Sequence, residues 1–306
     1  MKSYIARRLL ALLPLLLGVS LLVFAIIQLT PGDPARSMLG DYATEERVAA
    51  VRHQLGLDDP VAVQYGRYLW GLFHGDLGRS FRGQSPVLEE IIARLPSTLQ
   101  LTVAAMTIAV VGGMAAGVLA GVARSRWADG LAMSSALLGL SVPNYWLAIL
   151  CIILFGVNLR WISVTGGEGF KDLILPSLCL ALGPGAVIAR LTRSSMLEVK
   201  REDYVLTARA KGLSELRITL AHVLRTALIP VVTVVGLQFA GMLSGAVFIE
   251  AVFARPGIGR LAVNAIATRD YPQVQGIVLF LAIAYALANL AVDILYAALD
   301  PRIRYR

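Results

Sequence analysis

The sequence predicts an all-α polytopic membrane protein with six transmembrane helices. Of its 306 residues, 57% are hydrophobic and only 16% are charged, whereas a soluble domain has about 45–50% apolar and about 25% charged residues. The mean hydropathy is +0.69. The apolar residues are concentrated in runs long enough to cross about 30 Å of hydrocarbon at about 1.5 Å per residue.

The first apolar run, LLALLPLLLGVSLLVFAIIQL, follows the basic start MKSYIARR. A cleaved signal peptide has an apolar core of about 7–15 residues that ends at a small-residue cleavage site. This run is longer and continues into TPGDPAR. We therefore interpret it as a retained span.

Six segments are long and apolar enough to be spans. We place them near 9–29, 98–123, 131–157, 173–189, 226–252 and 273–298. The fourth is the shortest and contains Pro176 and a Gly-Pro-Gly stretch at 183–185, so we predict a bend or break there. No internal repeat or linker divides the sequence, and we expect one transmembrane domain over residues 1–306.

The loop between the first two spans, residues 30–97, is long and soluble in character. TEERVAAVRHQLGL predicts an amphipathic helix that is capped by Thr44 and places Val48, Val51 and Leu55 on one face. VAVQYGRYLWGLF predicts a second helix. We expect an outer helical elaboration of the membrane domain.

The distribution of basic residues predicts that both termini are cytoplasmic. With the N-terminus inside, the cytoplasmic pieces hold 16 of the 28 Lys and Arg residues, and the outer pieces hold 12 over almost twice the length. Basic residues in short loops favour the cytoplasmic side. Topology thus accounts for the formal charge of +8, and we expect membrane lipid around the chain and no nucleic-acid partner.

The sequence shows no motif of a cysteine metal site, an ATPase or a dinucleotide-binding site. Cys151 and Cys179 lie in apolar runs and are predicted to be packing thiols, not metal ligands. No stretch matches G-x-x-x-x-G-K-[ST], so the chain has no ATPase motif. RPGIGR is a glycine turn on the outer side, because no strand precedes it as a dinucleotide fingerprint requires.

The cytoplasmic loop 190–225 contains the amphipathic start of EDYVLTARAKGLSELRITLAHVLRTALIP. It predicts a short helix, a turn at Gly212 with positive φ, and a second helix that leads back into the membrane, with Pro230 near its start. The residues that we place on buried faces are Tyr204, Ala208, Leu213 and Leu216. Those that we place outward are Arg209, Lys211, Glu215 and Arg217.

Two interpretations of this loop remain open on the residues alone. A small cytoplasmic helix suits docking into a groove on a soluble partner. A helix whose Lys and Arg side chains contact anionic lipid headgroups fits equally well.

The same loop resembles the EAA loop, the cytoplasmic signature of permease subunits of binding-protein-dependent ABC importers. The EAA-type triplet falls on Leu206, Thr207 and Ala208, and its glycine on Gly212. Leu206 replaces the usual Glu, and HVLR stands where Leu-Pro would end the motif. These departures resemble the dipeptide/oligopeptide/nickel subgroup.

The resemblance to that subgroup extends from residue 5 to the end of the sequence. Its N-terminal motifs are ARRLLALLPLLLGVSLLVF, TPGDPAR, QLGLDDP and GDLGRSF. Its C-terminal motifs are SVPNYWLAI, ARLTRSSMLEV, EAVFARPGIGRLAVNAI, RDYPQVQG and NLAVDILYAALDPRIR. The resemblance implies a type I ABC importer permease fold with a long periplasmic loop after helix 1.

The resemblance also implies a non-enzymatic importer permease for dipeptides, oligopeptides or related small peptides. A nickel or nickel-chelate permease is the alternative in the same class. Implied partners are a homologous second permease, two ATPase subunits that bind ATP and Mg, and an extracytoplasmic substrate-binding protein. No cofactor is implied in this chain, and the implied location is a bacterial or archaeal inner membrane.

A membrane scaffold or an integral membrane enzyme is the alternative from another class. Intramembrane proteases and transferases need convergent carboxylates or His residues. Here Glu250 and Asp293 lie near opposite ends of their spans, which argues against an enzyme.

By resemblance, residues 207 to 212 would form the coupling helix that sits in a groove of the ATPase. The full set of expected coupling residues is Tyr204, Leu206, Thr207, Ala208, Arg209, Ala210, Lys211 and Gly212.

Polar residues inside spans are candidates for a substrate pathway, because their burial in lipid is costly. They are Asn144, Gln238, Glu250, Asn289 and Asp293. Each also has a structural interpretation. Asp293 could pair with a basic residue, Asn289 could bond a neighbouring helix, and Glu250 could hold the adjacent PGIG turn.

Overall fold

The protein is described by a computed structural model at residues 2–29, 33–39, 43–122, 142–161 and 169–299. The helices of these ranges are α1 (Lys2–Leu29), α2 (Pro34–Leu39), α3 (Glu45–Leu55), α4 (Val61–Phe73), α5 (Val87–Val122), α6 (Asn144–Asn158), α7 (Phe170–Val199), α8 (Asp203–Ala210), α9 (Glu215–Val252), α10 (Ile258–Ala267) and α11 (Tyr271–Leu299). Within the same ranges there is no strand, which confirms the all-α class.

Five of these helices are long and apolar enough to cross a membrane. The candidate spans are Leu10–Leu29, Val87–Val122, Phe170–Val199, Glu215–Val252 and Tyr271–Ile294. They correspond to five of the six predicted segments. The remaining one, 131–157, lies partly outside the described residues, and its later part is α6.

The helix α7 differs from the prediction of a break at Pro176 or in the Gly-Pro-Gly stretch. It is one continuous helix of 30 residues that contains both Pro176 and Pro184 and continues to Val199. Proline is tolerated inside membrane helices where neighbouring groups compensate for the lost backbone hydrogen bond. The predicted end at 189 is therefore wrong, and the first part of the predicted loop 190–225 is helical.

One compact unit comprises residues 99–255 and 288–306. In it, α5 lies against α7 along a stripe of small residues. A Cβ at Gly113 would lie 2.6 Å from the Gly185 carbonyl oxygen, and a Cβ at Gly117 would lie 2.6 Å from the Ala189 carbonyl oxygen. Such distances exclude a side chain, so these glycines allow the two backbones to approach closely.

The other compact unit comprises residues 1–98 and 256–287. Asp270 is buried there and accepts hydrogen bonds from Ser80 Oγ at 2.6 Å and from the Phe81 amide at 3.1 Å. The Ile258 amide donates to Thr98 Oγ at 2.9 Å. The two bonds to Asp270 hold the segment before α5 against the start of α11, and the third holds the start of α10 against α5. The single domain over 1–306 stays a prediction.

The two helices predicted in the loop 30–97 are confirmed as α3 and α4. Thr44 occupies the N-cap position of α3 in an extended conformation, but its side chain makes no capping hydrogen bond. Val48 is buried, whereas Leu55 is 37% exposed. The expected capping bond is therefore wrong, and this charged helix buries only part of the predicted apolar face.

Candidate functional site

The candidate site is the segment between α7 and α9, which contains the short helix α8. A tight turn follows Val199, and α8 begins at Asp203. In this turn the Lys200 ammonium donates a hydrogen bond of 2.6 Å to the Gly121 carbonyl oxygen, near the end of α5. The start of the segment is thus attached to a membrane-length helix.

The end of α8 is a glycine turn of the Schellman type. The Gly212 amide donates to the Arg209 carbonyl at 2.9 Å, and the Leu213 amide donates to the Ala208 carbonyl at 3.4 Å. Gly212 has φ +76°, in the left-handed region that favours glycine. The predicted helix, glycine turn and returning helix are confirmed.

An ion pair spans this turn on its exposed side. Arg209 Nε donates to one carboxylate oxygen of Glu215 at 2.7 Å, and Nη2 donates to the other at 3.3 Å. The carboxylate raises the pKa of the Arg209 guanidinium above its ordinary value. An exposed pair contributes little to stability, but its two-point geometry orients α8 relative to the start of α9.

The inner face of α8 is formed by Val205 and Ala208, which are 0% and 7% exposed. They pack in one cluster with buried residues of α7 and α9, which are Met196, Ile218, Val223 and Ala227. Ala208 therefore lies on a buried face, as predicted, and its membership of the coupling set stays a prediction. Its structural role is to support α8 from within.

The outer face of α8 contains side chains that we expected to be buried. Tyr204 and, beyond the turn, Leu216 are 43% and 70% exposed. The Tyr204 hydroxyl donates to Thr226 Oγ1 of α9 at 3.1 Å. Leu206 is 51% exposed, so the accessible surface combines apolar groups with a basic end. The exposed members of the expected coupling set are Tyr204, Leu206, Thr207, Arg209, Ala210, Lys211 and Gly212.

The helix that follows contains a π-helical turn at Ile218–Val223. Such turns are frequent at functional positions. Pro230 lies well inside the same helix, since α9 begins at Glu215. The predicted position of Pro230 near a helix start is therefore wrong.

Among the pathway candidates, Asn144 is half-buried and begins α6 directly after Pro143. A Cβ at Gly183 of α7 would lie 3.9 Å from Asn144 Oδ1. The amide oxygen therefore faces α7 at the Gly-Pro-Gly stretch.

Gln238 on α9 and the pair Asn289 and Asp293 on α11 are also half-buried. The two helices approach closely nearby, because a Cβ at Gly236 would lie 2.5 Å from a methyl group of Val292. The structure thus brings together the helices that carry these three polar residues. Their part in a pathway stays a prediction.

Glu250 differs from the other candidates because its side chain is fully buried. Its carbonyl oxygen accepts a hydrogen bond of 2.9 Å from the Arg255 amide, and Arg255 is itself 1% exposed. Burial within the unit favours the interpretation that Glu250 holds the turn after α9.

No cluster of three potential metal ligands occurs in the described part of the chain. Cys179 is buried and Cys151 is half-buried, and both are free thiols that pack with the same apolar core. This packing agrees with their prediction as structural thiols.

The structure thus combines membrane-length helices with a short helix, α8, that is packed on one face and exposed on the other. The chain belongs to the binding-protein-dependent transport system inner membrane component family, whose model matches residues 113–305. The N-terminal membrane component model of the same systems matches residues 1–102. The protein is an ABC importer permease subunit, and its family places it in the inner membrane as a multi-pass protein. Membership implies a partner permease, ATPases and a binding protein.

Two relatives match over the whole chain. The glutathione transport system permease protein GsiC of Salmonella paratyphi A is 47% identical over 306 residues, covering 100% of both chains. The GsiC protein of Escherichia coli strain K12 is 46% identical with the same coverage. These are full-length similarities, so they include the segment around α8.

A solved structure confirms the type I importer permease fold. The inward-facing MetNI methionine ABC transporter, in its CY5 native crystal form, matches with a TM-score of 0.56 and 20% identity. The match covers 70% of this chain and 97% of that chain.

Proposed function

We propose that this permease moves short peptide-like substrates, with glutathione as the first candidate, from an external binding protein into the cytoplasm. The observation that carries this proposal is the full-length 47% identity to a glutathione transport permease. A tripeptide falls within the small-peptide class that the sequence motifs favour. The energy would come from ATP hydrolysis on partner subunits.

In this proposal, both termini and α8 lie on the cytoplasmic side, where the ATPases bind. Apolar and basic groups on the outer face of α8 suit a groove on a soluble partner. The inner face is fixed by Val205 and Ala208, which pack against α7 and α9. A displacement of α8 would therefore be transmitted to α7 and α9 as a rigid-body motion.

A matched pair of variants separates docking from contact with lipid headgroups. Leu206 is exposed and apolar, while Lys211 is exposed and basic. Docking predicts that Leu206→Asp abolishes substrate-stimulated ATP hydrolysis, because it places a charge in a desolvated groove. Headgroup contact predicts instead that Lys211→Gln has the larger effect. Both variant permeases should fold, since neither side chain is part of the buried cluster.

The substrate is tested on the external binding protein of the same transport system. Calorimetry should show saturable binding of glutathione, and proteoliposomes with the whole complex should accumulate labelled glutathione with ATP. Binding of a nickel chelate without binding of any peptide would refute the peptide assignment and leave the importer assignment intact.

A further inference from the structure

We propose that α4 is an interfacial helix that lies in the lipid leaflet at the C-terminal end of α1. Its outward side chains Val63, Trp70 and Phe73 would contact lipid directly. This inference goes beyond the proposed function, because it requires only that α1 spans the membrane.

The depth of α4 follows from its contacts with α1. Gln28 Nε2 donates to Gln64 Oε1 at 2.9 Å, near the end of the candidate span Leu10–Leu29. Deeper along α1, the Tyr65 hydroxyl lies 3.0 Å from Ser20 Oγ. Ser20 is nine positions before Leu29, or about 14 Å along the helix axis, which is near the middle of a hydrocarbon core of about 30 Å.

An aromatic cluster fills the space between these two polar contacts. The Phe24 ring lies 5.2 Å from the Tyr65 ring and 6.1 Å from the Tyr68 ring, measured between centroids. Phe24 belongs to the same span. The inner face of α4 therefore contacts α1 at the level of hydrocarbon, so α4 cannot lie wholly in the aqueous loop that the sequence predicts.

The outer face of α4 is exposed within the chain and carries three large apolar side chains. Val63 is 50%, Trp70 is 70% and Phe73 is 77% exposed. Val63 and Trp70 are seven residues apart, about two helical turns, and Trp70 and Phe73 are three apart. The three side chains therefore share one side of the helix. Arg67 lies on the same side, three positions before Trp70, and its guanidinium pairs with Asp59 before the start of the helix, so the charge on this face is partly neutralised.

Lipid fits this face because α1, the candidate span on which α4 packs, also exposes large apolar side chains. On α1, Leu22 and Leu29 are 58% and 83% exposed. A helix of 13 residues is about 20 Å long, too short to cross the membrane but suited to an interfacial position. Tyrosine and tryptophan are the residues enriched at that boundary.

The test places a nitroxide label at position 73 of the complex in liposomes, by Phe73→Cys with Cys151→Ser and Cys179→Ala. Leu22→Cys serves as the lipid-exposed control and Glu46→Cys, on the charged helix α3, as the aqueous control. Relaxation by oxygen, which concentrates in lipid, is compared with relaxation by a water-soluble nickel complex. The label at position 73 should respond several-fold more to oxygen than to nickel, like the one at position 22.

A second measurement leaves the cysteines unchanged. Brominated lipids should quench the fluorescence of the wild-type complex more strongly than that of the Trp70→Phe complex. A label at position 73 that responds mainly to nickel overturns the proposal. A label shielded from both agents, which would indicate a protein partner on this face, overturns it as well.

Discussion

The turn at Gly212 provides a sharp test of the coupling segment. Gly212 has φ +76°, and a Cβ added there would meet no atom within 4 Å. Substitution therefore costs only backbone strain, not a steric clash. For an L-residue in this left-handed conformation the strain is about 1–2 kcal/mol, and a β-branched residue is the least tolerant.

A strain of this size shifts the balance between the native turn and its alternatives about 5- to 30-fold. Gly212→Val should therefore loosen the junction between α8 and α9 while leaving the spans inserted. Gly212→Asn is the matched control, since asparagine adopts the left-handed conformation more readily than other side chains.

The assay measures substrate-stimulated ATP hydrolysis and uptake by the reconstituted complex. Both activities should fall together in Gly212→Val, while Gly212→Asn stays near wild type and the binding protein retains its affinity. If the Val and Asn variants both hydrolyse ATP and take up substrate at wild-type rates, the reasoning is refuted. The geometry of the turn would then have no effect on transport.

Three further predictions concern packing, the outer segment and topology. Gly117→Ala should lower the stability of the purified complex by about 1–3 kcal/mol in a thermal unfolding assay, because the added methyl group overpacks the contact. Gly112→Ala is the control, since a Cβ there meets no atom within 4 Å, and its stability should not change. Equal melting temperatures for the two variants would contradict the close approach of α5 and α7. Asp270→Asn replaces one of the two carboxylate oxygens that accept hydrogen bonds from Ser80 and Phe81. Limited proteolysis should therefore cut the segment before α5 faster than in the wild type. An unchanged cleavage rate would show that these bonds do not restrain the segment. Impermeant thiol reagents should label Ala50→Cys from outside and Arg201→Cys only from the cytoplasmic side, and the reverse pattern would overturn the proposed orientation.

Local chemistry made part of the fold predictable from the sequence. The helix Val61–Phe73 matches VAVQYGRYLWGLF residue for residue, and the turn at Gly212 follows the rule that helices end at a left-handed glycine. Both features depend on neighbouring residues only.

The wrong predictions concern features that depend on residues far away in the sequence. Gly185, which belongs to a Gly-Pro-Gly stretch, indicated a helix break, but it is the place where α5 packs against a continuous α7. Similarly, α8 has several apolar side chains within two turns. Only its contacts with α7 and α9 show that Val205 is inside and Tyr204 outside.

The same limit applies to the candidate site. The partner of Arg209 could be anticipated from the charge of Glu215 beyond the turn, but their two-point contact depends on the turn geometry. The bond between Lys200 and the Gly121 carbonyl joins residues 79 positions apart. A backbone carbonyl leaves no signal in the sequence, so this attachment could not be predicted.

The most direct test of the central claim is ATP-dependent uptake of labelled glutathione in proteoliposomes. The vesicles contain this chain with its co-encoded permease, ATPases and binding protein. We predict uptake that requires ATP and the binding protein and that is lost with Leu206→Asp, although the variant permease still folds and inserts. Uptake that persists without ATP hydrolysis, or a Leu206→Asp complex that transports at the wild-type rate, would contradict a permease driven through α8.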